Sequence, residues 1–258
     1  MMRALLQVSY DGRPFHGFAR QRDRPTVQGA LESAMEDLFG VAPPLAFCSR
    51  TDAGVHALAQ MVAFDAPPTV PVPRLPAALN ARLPESVRVV GARDAPEGYD
   101  PRRAARRKTY RYVIHDAPPA PPFFDGIVTR LRRRLDVDAM ARAAEPLPGE
   151  HDFAPILVKE ARPSRLRLDR VDVTRCRYLP VPEMRRGREG PFVTISLEAQ
   201  RFAYRMVRSV VGLLVEVGRG RFRPEETPDV LAGRRSWSVR VMPPDGLYLV
   251  SVRLDGLD

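Results

Sequence analysis

Apolar and polar residues alternate over Arg3–Tyr10, with Ala4, Leu6, Val8 and Tyr10 on one side, which predicts a strand. The period then changes. Val27, Ala30, Leu31, Ala34, Met35, Leu38 and Phe39 recur at helical spacing, Thr26 stands as N-cap with Pro25 just outside, and Gly40 is the stop. Two apolar runs follow, Leu45–Cys48 and Leu58–Phe64, and predict a hairpin joined by the polar stretch Ser49–Ala57. Pro67–Pro73 is a connector, Leu75, Ala78, Leu79 and Leu83 mark a short helix, and Val87–Gly91 another strand. The order so far is β-α-β-β-α-β.

A comparable order returns downstream. Arg102–His115 is predicted as one long strand with Tyr110, Tyr112 and Ile114 on one face, followed by the proline-rich loop 116–122 and a helix beginning near Asp136. Leu166–Leu179 and Pro191–Gln200 alternate as strands around a turn at 185–190. Tyr204–Gly218 is a strong helix with Val207, Val210, Val211, Leu214 and Val215 on its face, and a short helix near Glu225–Ala232 precedes a last strand, Leu247–Leu254. Two such rounds predict an α+β fold of two pseudo-duplicated ferredoxin-like (RRM-like) halves, with mainly antiparallel sheet, helices on one face and the other face free. The expected division is residues 1–103 and 104–258.

Charge adds a partner class. Basic residues number 41 against 31 acidic, for a net charge of +10, and only Lys108 and Lys159 are lysine. A GC-rich genome accounts for much of the preference for arginine over lysine, but not for the basic excess, which favours a polyanion, nucleic acid first. The loop 11–24 interleaves arginines with Phe15, His16 and Phe18; this suits a single-stranded RNA, and equally a surface loop whose phenylalanines pack inward. The runs 130–134, 162–170 and 185–188 read either as solvated faces or as phosphate contacts.

Several classes are disfavoured. No apolar run approaches the length of a membrane span, and the amino end is too short and polar for a signal peptide, so a cytoplasmic location is expected. Cys48 and Cys176 show no CxxC spacing and the four histidines no ligand spacing, so no metal is expected. Neither GxxxxGK[ST] nor GxGxxG occurs, so no nucleotide cofactor is expected.

The stretch with most chemistry is Ser49–Ala57, which packs a carboxylate, a guanidinium, an imidazole, hydroxyls and a glycine into one loop. Asp52 fits a turn residue bonded to nearby backbone N–H groups. It also fits a nucleophile, because a carboxylate facing an arginine such as Arg50 keeps its charge.

Ser49–Ala57 closely resembles the GRTDAGVHA signature of the TruA-type tRNA pseudouridine synthases. Tyr10-Asp11-Gly12 with Phe15-His16-Gly17-Phe18 and Gln21 is similar to that family's YDG…YHGW…Q segment. Thr26-Val27-Gln28 with Leu31-Glu32, Lys108–Tyr112, His151-Asp152-Phe153, Phe202 with Met206–Arg208, and Gly246–Leu249 resemble its TVQ..LE, RxYRY, H/N-D-F, F…MVR and GLYL motifs, so the likeness spans most of the chain. Ser49, Phe18-Ala19 and Ala154-Pro155-Ile156 depart from the pattern.

The resemblance implies cofactor-free isomerisation of uridine to pseudouridine in the tRNA anticodon arm, at positions 38–40, by a homodimer. It implies that Asp52 is the nucleophile, Tyr110 the tyrosine that stacks on the base and assists proton removal, and Arg208 the arginine that pairs with the aspartate, so that an active-site cleft between the halves is expected. Leu247 matches an apolar residue packed against the active site. Arg50, His56, Arg20 and Gln21 are assigned to RNA binding on resemblance and chemistry together. Two rivals remain at this point. One is a non-catalytic RNA-binding protein with RRM-like halves. The other is a carboxylate-based glycoside hydrolase, which needs a second acidic group that no motif supplies.

Overall fold

The computed structural model describes residues 2–179 and 189–256. The expected basic run at 185–188 lies outside them. In chain order the elements are β1 (Met2–Tyr10), α1 (Val27–Phe39), β2 (Ala46–Phe47), β3 (His56–Ala66), α2 (Leu75–Asn80), β4 (Val87–Ala95), α3 (Pro101–Ala104), β5 (Ala105–His115), β6 (Thr129–Arg130), α4 (Val137–Ala144), β7 (Gly149–Asp152), β8 (Arg165–Leu168), β9 (Arg170–Cys176), β10 (Phe192–Ala199), α5 (Met206–Gly218), α6 (Thr227–Leu231) and β11 (Leu247–Leu254). The fold is α+β with mainly antiparallel sheet. The chain divides into two units, Met1–Arg106 with Tyr248–Asp258, and Arg107–Leu247. Relative to a single division near residue 103, the closing strand from Tyr248 returns to the first unit, where it pairs parallel to β3 at Tyr248↔His56 and Leu249↔Ala57.

In the first unit the sheet runs β4-β1-β3, antiparallel throughout, and β2 pairs with β3 at Ala46↔Ala63 and Phe47↔Val62. Thr26 caps α1 by accepting the Gly29 N–H at 3.2 Å, and Gly40 ends it at φ 75° with its N–H on the Glu36 carbonyl. Alternation places Ala4, Leu6 and Val8 on one face of β1, each 0 % exposed. The opposite face was expected to stay free. It does not: Leu5, Met61 and Ala63 pack with Cys48 and Ala105, and Tyr99, Val252 and Leu254 close over them. Side chains from β11 and from the stretch after β4 cover that face, so it offers no open platform there.

In the second unit the sheet runs β5-β10-β9, antiparallel, with β6 parallel to β5, and β7 and β8 form a separate hairpin. Three expected boundaries move, each for a local reason. Residues 102–104 turn helical because Asp100 caps α3, accepting the Arg102 N–H at 2.8 Å, with Pro101 at the first helical position. The strand expected over 166–179 is two strands, broken at Asp169, whose N–H bonds the Glu198 carbonyl at 2.7 Å. Helix α5 starts at Met206 because Arg205 takes the left-handed conformation, φ 56°. Once started it is buried along most of its length.

Candidate active site

The sequence-predicted residues fall in both units, Asp52 in the first and Tyr110, Arg208 and Leu247 in the second.

In the first unit, the Asp52 loop is held by its backbone. The Gln60 side chain, 0 % exposed, clamps Ser49 from both sides, accepting its N–H at 3.1 Å and donating to its carbonyl at 2.6 Å. The Thr51 hydroxyl bonds the Tyr10 hydroxyl at 2.8 Å, and burial raises the Tyr10 pKa despite the bonds from Thr51 and Gln60. The Val55 N–H closes the turn on the Asp52 carbonyl at 3.2 Å, with Gly54 at φ 77° supplying the left-handed step. Asp52 itself is half-buried and Ala53 exposed, so the carboxylate sits on a fixed backbone with solvent access.

The segment after β1 supplies the other wall. Gly12 approaches the Val55 carbonyl too closely for any Cβ, and Gly17, at φ 98°, leaves 2.6 Å between a notional Cβ and the Thr51 carbonyl oxygen. The Phe18 N–H donates to that same Thr51 carbonyl at 3.2 Å. The segment is anchored in turn by α1, whose first N–H groups, of Val27 and Gln28, donate to the Gly17 and Phe18 carbonyls. Phe15 and Phe18 are buried, 8 % and 0 % exposed, with Phe18 tilted on Phe47 at 4.6 Å. They pack inward rather than facing a nucleic acid.

His56 is 3 % exposed, with Tyr248 stacked 4.6 Å from its ring at 16°. Its Nδ1 accepts the Gly12 N–H at 3.2 Å and lies 3.3 Å from Asp11 Oδ1. Burial pushes the Asp11 carboxyl up, but hydrogen bonds and charge from Arg13 outweigh it and hold the pKa below its ordinary value. Tyr248 is raised, first by burial and then by the Asp11 charge. Arg20 is exposed and pairs with Glu32, while its N–H bonds the Gln28 side chain at 2.9 Å. Gln21 is exposed, its amide donating to the His16 carbonyl at 2.6 Å, and Arg50 is exposed at the end of the β2 arm.

In the second unit, Tyr110 on β5 is 6 % exposed and meets the Phe202 ring edge-on at 5.1 Å and 83°. Tyr112 faces the core: it is 0 % exposed, with its hydroxyl bonded to Thr129 and to the Pro243 carbonyl. Both tyrosines are buried. Arg208 on α5 is half-buried, its Nε–H donating to the Met242 carbonyl at 2.6 Å. Leu247 is 5 % exposed and its N–H closes a turn on the Pro244 carbonyl.

Sequence reasoning missed Gly12, Gly17, Tyr10 and Gln60 as the residues that hold the loop. The available signal was Gln60, a polar residue within an otherwise apolar run. Among the described residues no cluster of three His, Cys, Asp or Glu side chains is arranged to hold a metal, and no helix is long and apolar enough to cross a membrane.

The chain is similar to known proteins. The family model described as tRNA pseudouridine synthase matches residues 6–102 and 143–255. A tRNA pseudouridine synthase A of Methylacidiphilum infernorum is 37% identical over 96% of this chain and 93% of its own. Its counterpart in Rhodopseudomonas palustris (strain BisA53) is 39% identical over 98% and 99%. Among solved structures, an archaeal box H/ACA sRNP Nop10-Cbf5 complex aligns at 12% identity and a TM-score of 0.36, over 82% of this chain and 44% of that one.

Proposed function

This chain belongs to the tRNA pseudouridine synthase family, isomerases that convert uridine to pseudouridine, and we propose that it acts at positions 38–40 of the tRNA anticodon arm with Asp52 as nucleophile and no cofactor. The observation that carries the proposal is the Asp52 loop: a half-exposed carboxylate on a backbone fixed through Ser49, Thr51 and Val55. A nucleophile gains from such fixing because its orientation is set before substrate arrives.

In the reaction the target uridine leaves its stack. The Asp52 carboxylate attacks the nucleoside, the bond from ribose C1′ to uracil N1 breaks, the uracil turns, C1′ joins C5, and the bond to Asp52 breaks to free the carboxylate. The proton on C5 is removed and N1 takes up a proton, so product and substrate have the same atoms. Tyr110 stacks on the base and assists the proton removal, and Arg208 supplies the fixed cation. Arg50, Arg20 and Gln21 are exposed and supply RNA contacts. His56 acts from beneath the surface, by holding Gly12 against the loop. Leu247 packs beside the site.

The same reading takes the fold as two ferredoxin-like halves and the enzyme as a homodimer in the cytoplasm. The strand order β4-β1-β3-β2 around α1 and α2 supports the first point, as does β5-β10-β9 with α4 and α5. The test is incubation with unmodified tRNA followed by mapping of pseudouridine. Product in the anticodon arm is expected. Product confined to another arm overturns the assignment of position, and absence of product overturns the activity.

A further inference from the structure

The segment between α6 and β11 crosses α5 at the turn that carries Arg208, and it is tied there from several sides. Arg208 and Met242 bond reciprocally: the guanidinium Nε–H donates to the Met242 carbonyl at 2.6 Å, and the Met242 N–H donates to the Arg208 carbonyl at 3.2 Å. One turn further along α5, Gly212 lacks the Cβ that would overlap the Arg240 carbonyl oxygen. Another turn on, Glu216 reaches the Arg240 guanidinium at 3.1 Å. Beyond Met242, the Tyr112 hydroxyl donates to the Pro243 carbonyl at 2.8 Å while accepting from Thr129. The Gly246 carbonyl accepts the Val113 N–H at 2.8 Å.

A guanidinium is planar, so a bond at Nε sets the plane and the direction in which its two terminal nitrogens point. The Met242 carbonyl is thus a fixed partner that orients the plane of the Arg208 guanidinium. We infer that residues 240–246 form a backbone strap that aims the Arg208 guanidinium, and that Glu216 and Tyr112 are positioning residues that fix the strap at its start, through Arg240, and at its middle, through Pro243. Glu216 is 8 % exposed at its side chain and is shared by Arg219, Arg221 and Arg240. Arg219 and Arg221 follow α5 directly, whereas Arg240 comes from the strap. An apolar side chain at this place would avoid the cost of burying a carboxylate. What Glu216 adds is the tie to Arg240. The inference rests on the catalytic role proposed for Arg208, and its test separates the two.

The experiment measures kcat and KM on unmodified tRNA, with thermal melting, for Glu216→Gln and Tyr112→Phe in both the wild-type and the Arg208→Lys backgrounds. Two variants at different points of the strap guard against one that does not fold. The expected result is a fall in kcat of about tenfold with KM within about twofold. In the Arg208→Lys background the same changes produce no further fall in single-turnover rate, because the group the strap aims is already gone. Wild-type kcat in both strap variants, with Arg208→Lys inactive, overturns the strap and leaves the role of Arg208 standing. Equal falls in both backgrounds also overturn it, by showing a general structural effect. Wild-type kcat in Arg208→Lys removes the role of Arg208 and the strap's purpose together.

Discussion

Replacing Gly17 with alanine strains the backbone and presses on the Asp52 loop. At φ 98° an L-residue is strained, at a cost of about 1–3 kcal/mol. The new Cβ would lie 2.6 Å from the Thr51 carbonyl oxygen, 3.2 Å from the Asp52 carbonyl carbon and 3.3 Å from the Ala53 nitrogen. Cβ atoms do not approach within 3.0 Å, so the Thr51 carbonyl yields by at least about 0.4 Å, and all three atoms belong to the backbone that carries Asp52. A displacement of an ångström at a reacting group costs about 100-fold, so less than half of that gives about tenfold in kcat, near 1.4 kcal/mol of barrier. Gly98→Ala is the control: φ is 69°, so the strain is comparable, but nothing lies within 4 Å of the new Cβ. Both variants lower the melting temperature by several degrees, roughly 2–4 °C per kcal/mol in a chain of this size. Only Gly17→Ala slows single-turnover pseudouridine formation. Equal turnover in the two variants would refute the claim that Gly17 sets the position of the nucleophile.

Three further outcomes are expected. Burial pushes the Glu216 carboxyl up, but its bonds from Arg221 and Arg219 and the charge of Arg221 and Arg240 prevail, so its folded pKa lies below the ordinary 4.5. Its contribution to stability is therefore present above that value and lost as pH falls through the folded pKa; the melting-temperature gap between wild type and Glu216→Gln narrows from about pH 5 toward pH 3, and a constant gap would contradict the linkage. His56→Ala removes the acceptor for the Gly12 N–H and the ring under Tyr248; it costs about 2–4 kcal/mol in urea denaturation, and His56→Phe recovers the stacking part alone. Binding of tRNA by a chain of net charge +10 falls steeply with salt, and a flat logarithmic plot would contradict phosphate contacts as the main source of affinity.

Much of this was legible where the signal is local. The Thr26 cap, the Gly40 stop and the alternation of β1 depend on neighbours in sequence, and the structure keeps them. The Asp52 loop stood out because so many functional groups share so few positions. What sequence pattern does not carry is close approach between distant segments. Gly12 and Gly17 fall in the loop 11–24, but the structure sets them against backbone some 34 to 43 positions away, at Thr51 and Val55. His56 looked like an RNA contact by residue type, and strand pairing with β11 brings Tyr248 over its ring. Leu5 sits out of phase with the buried face of β1, and burial of the second face by β11 explains it. The strap over α5 shows in sequence only as the small residue Gly212 on an apolar helix.

The central claim is that Asp52 makes the bond while the loop around it is scaffold. Asp52→Asn keeps the size of the side chain and removes its charge, so it tests that claim most directly. The measurement pairs single-turnover pseudouridine formation with the tRNA dissociation constant of the same variant. The account predicts no detectable product with binding within a few-fold of wild type, and product at the wild-type rate would contradict it.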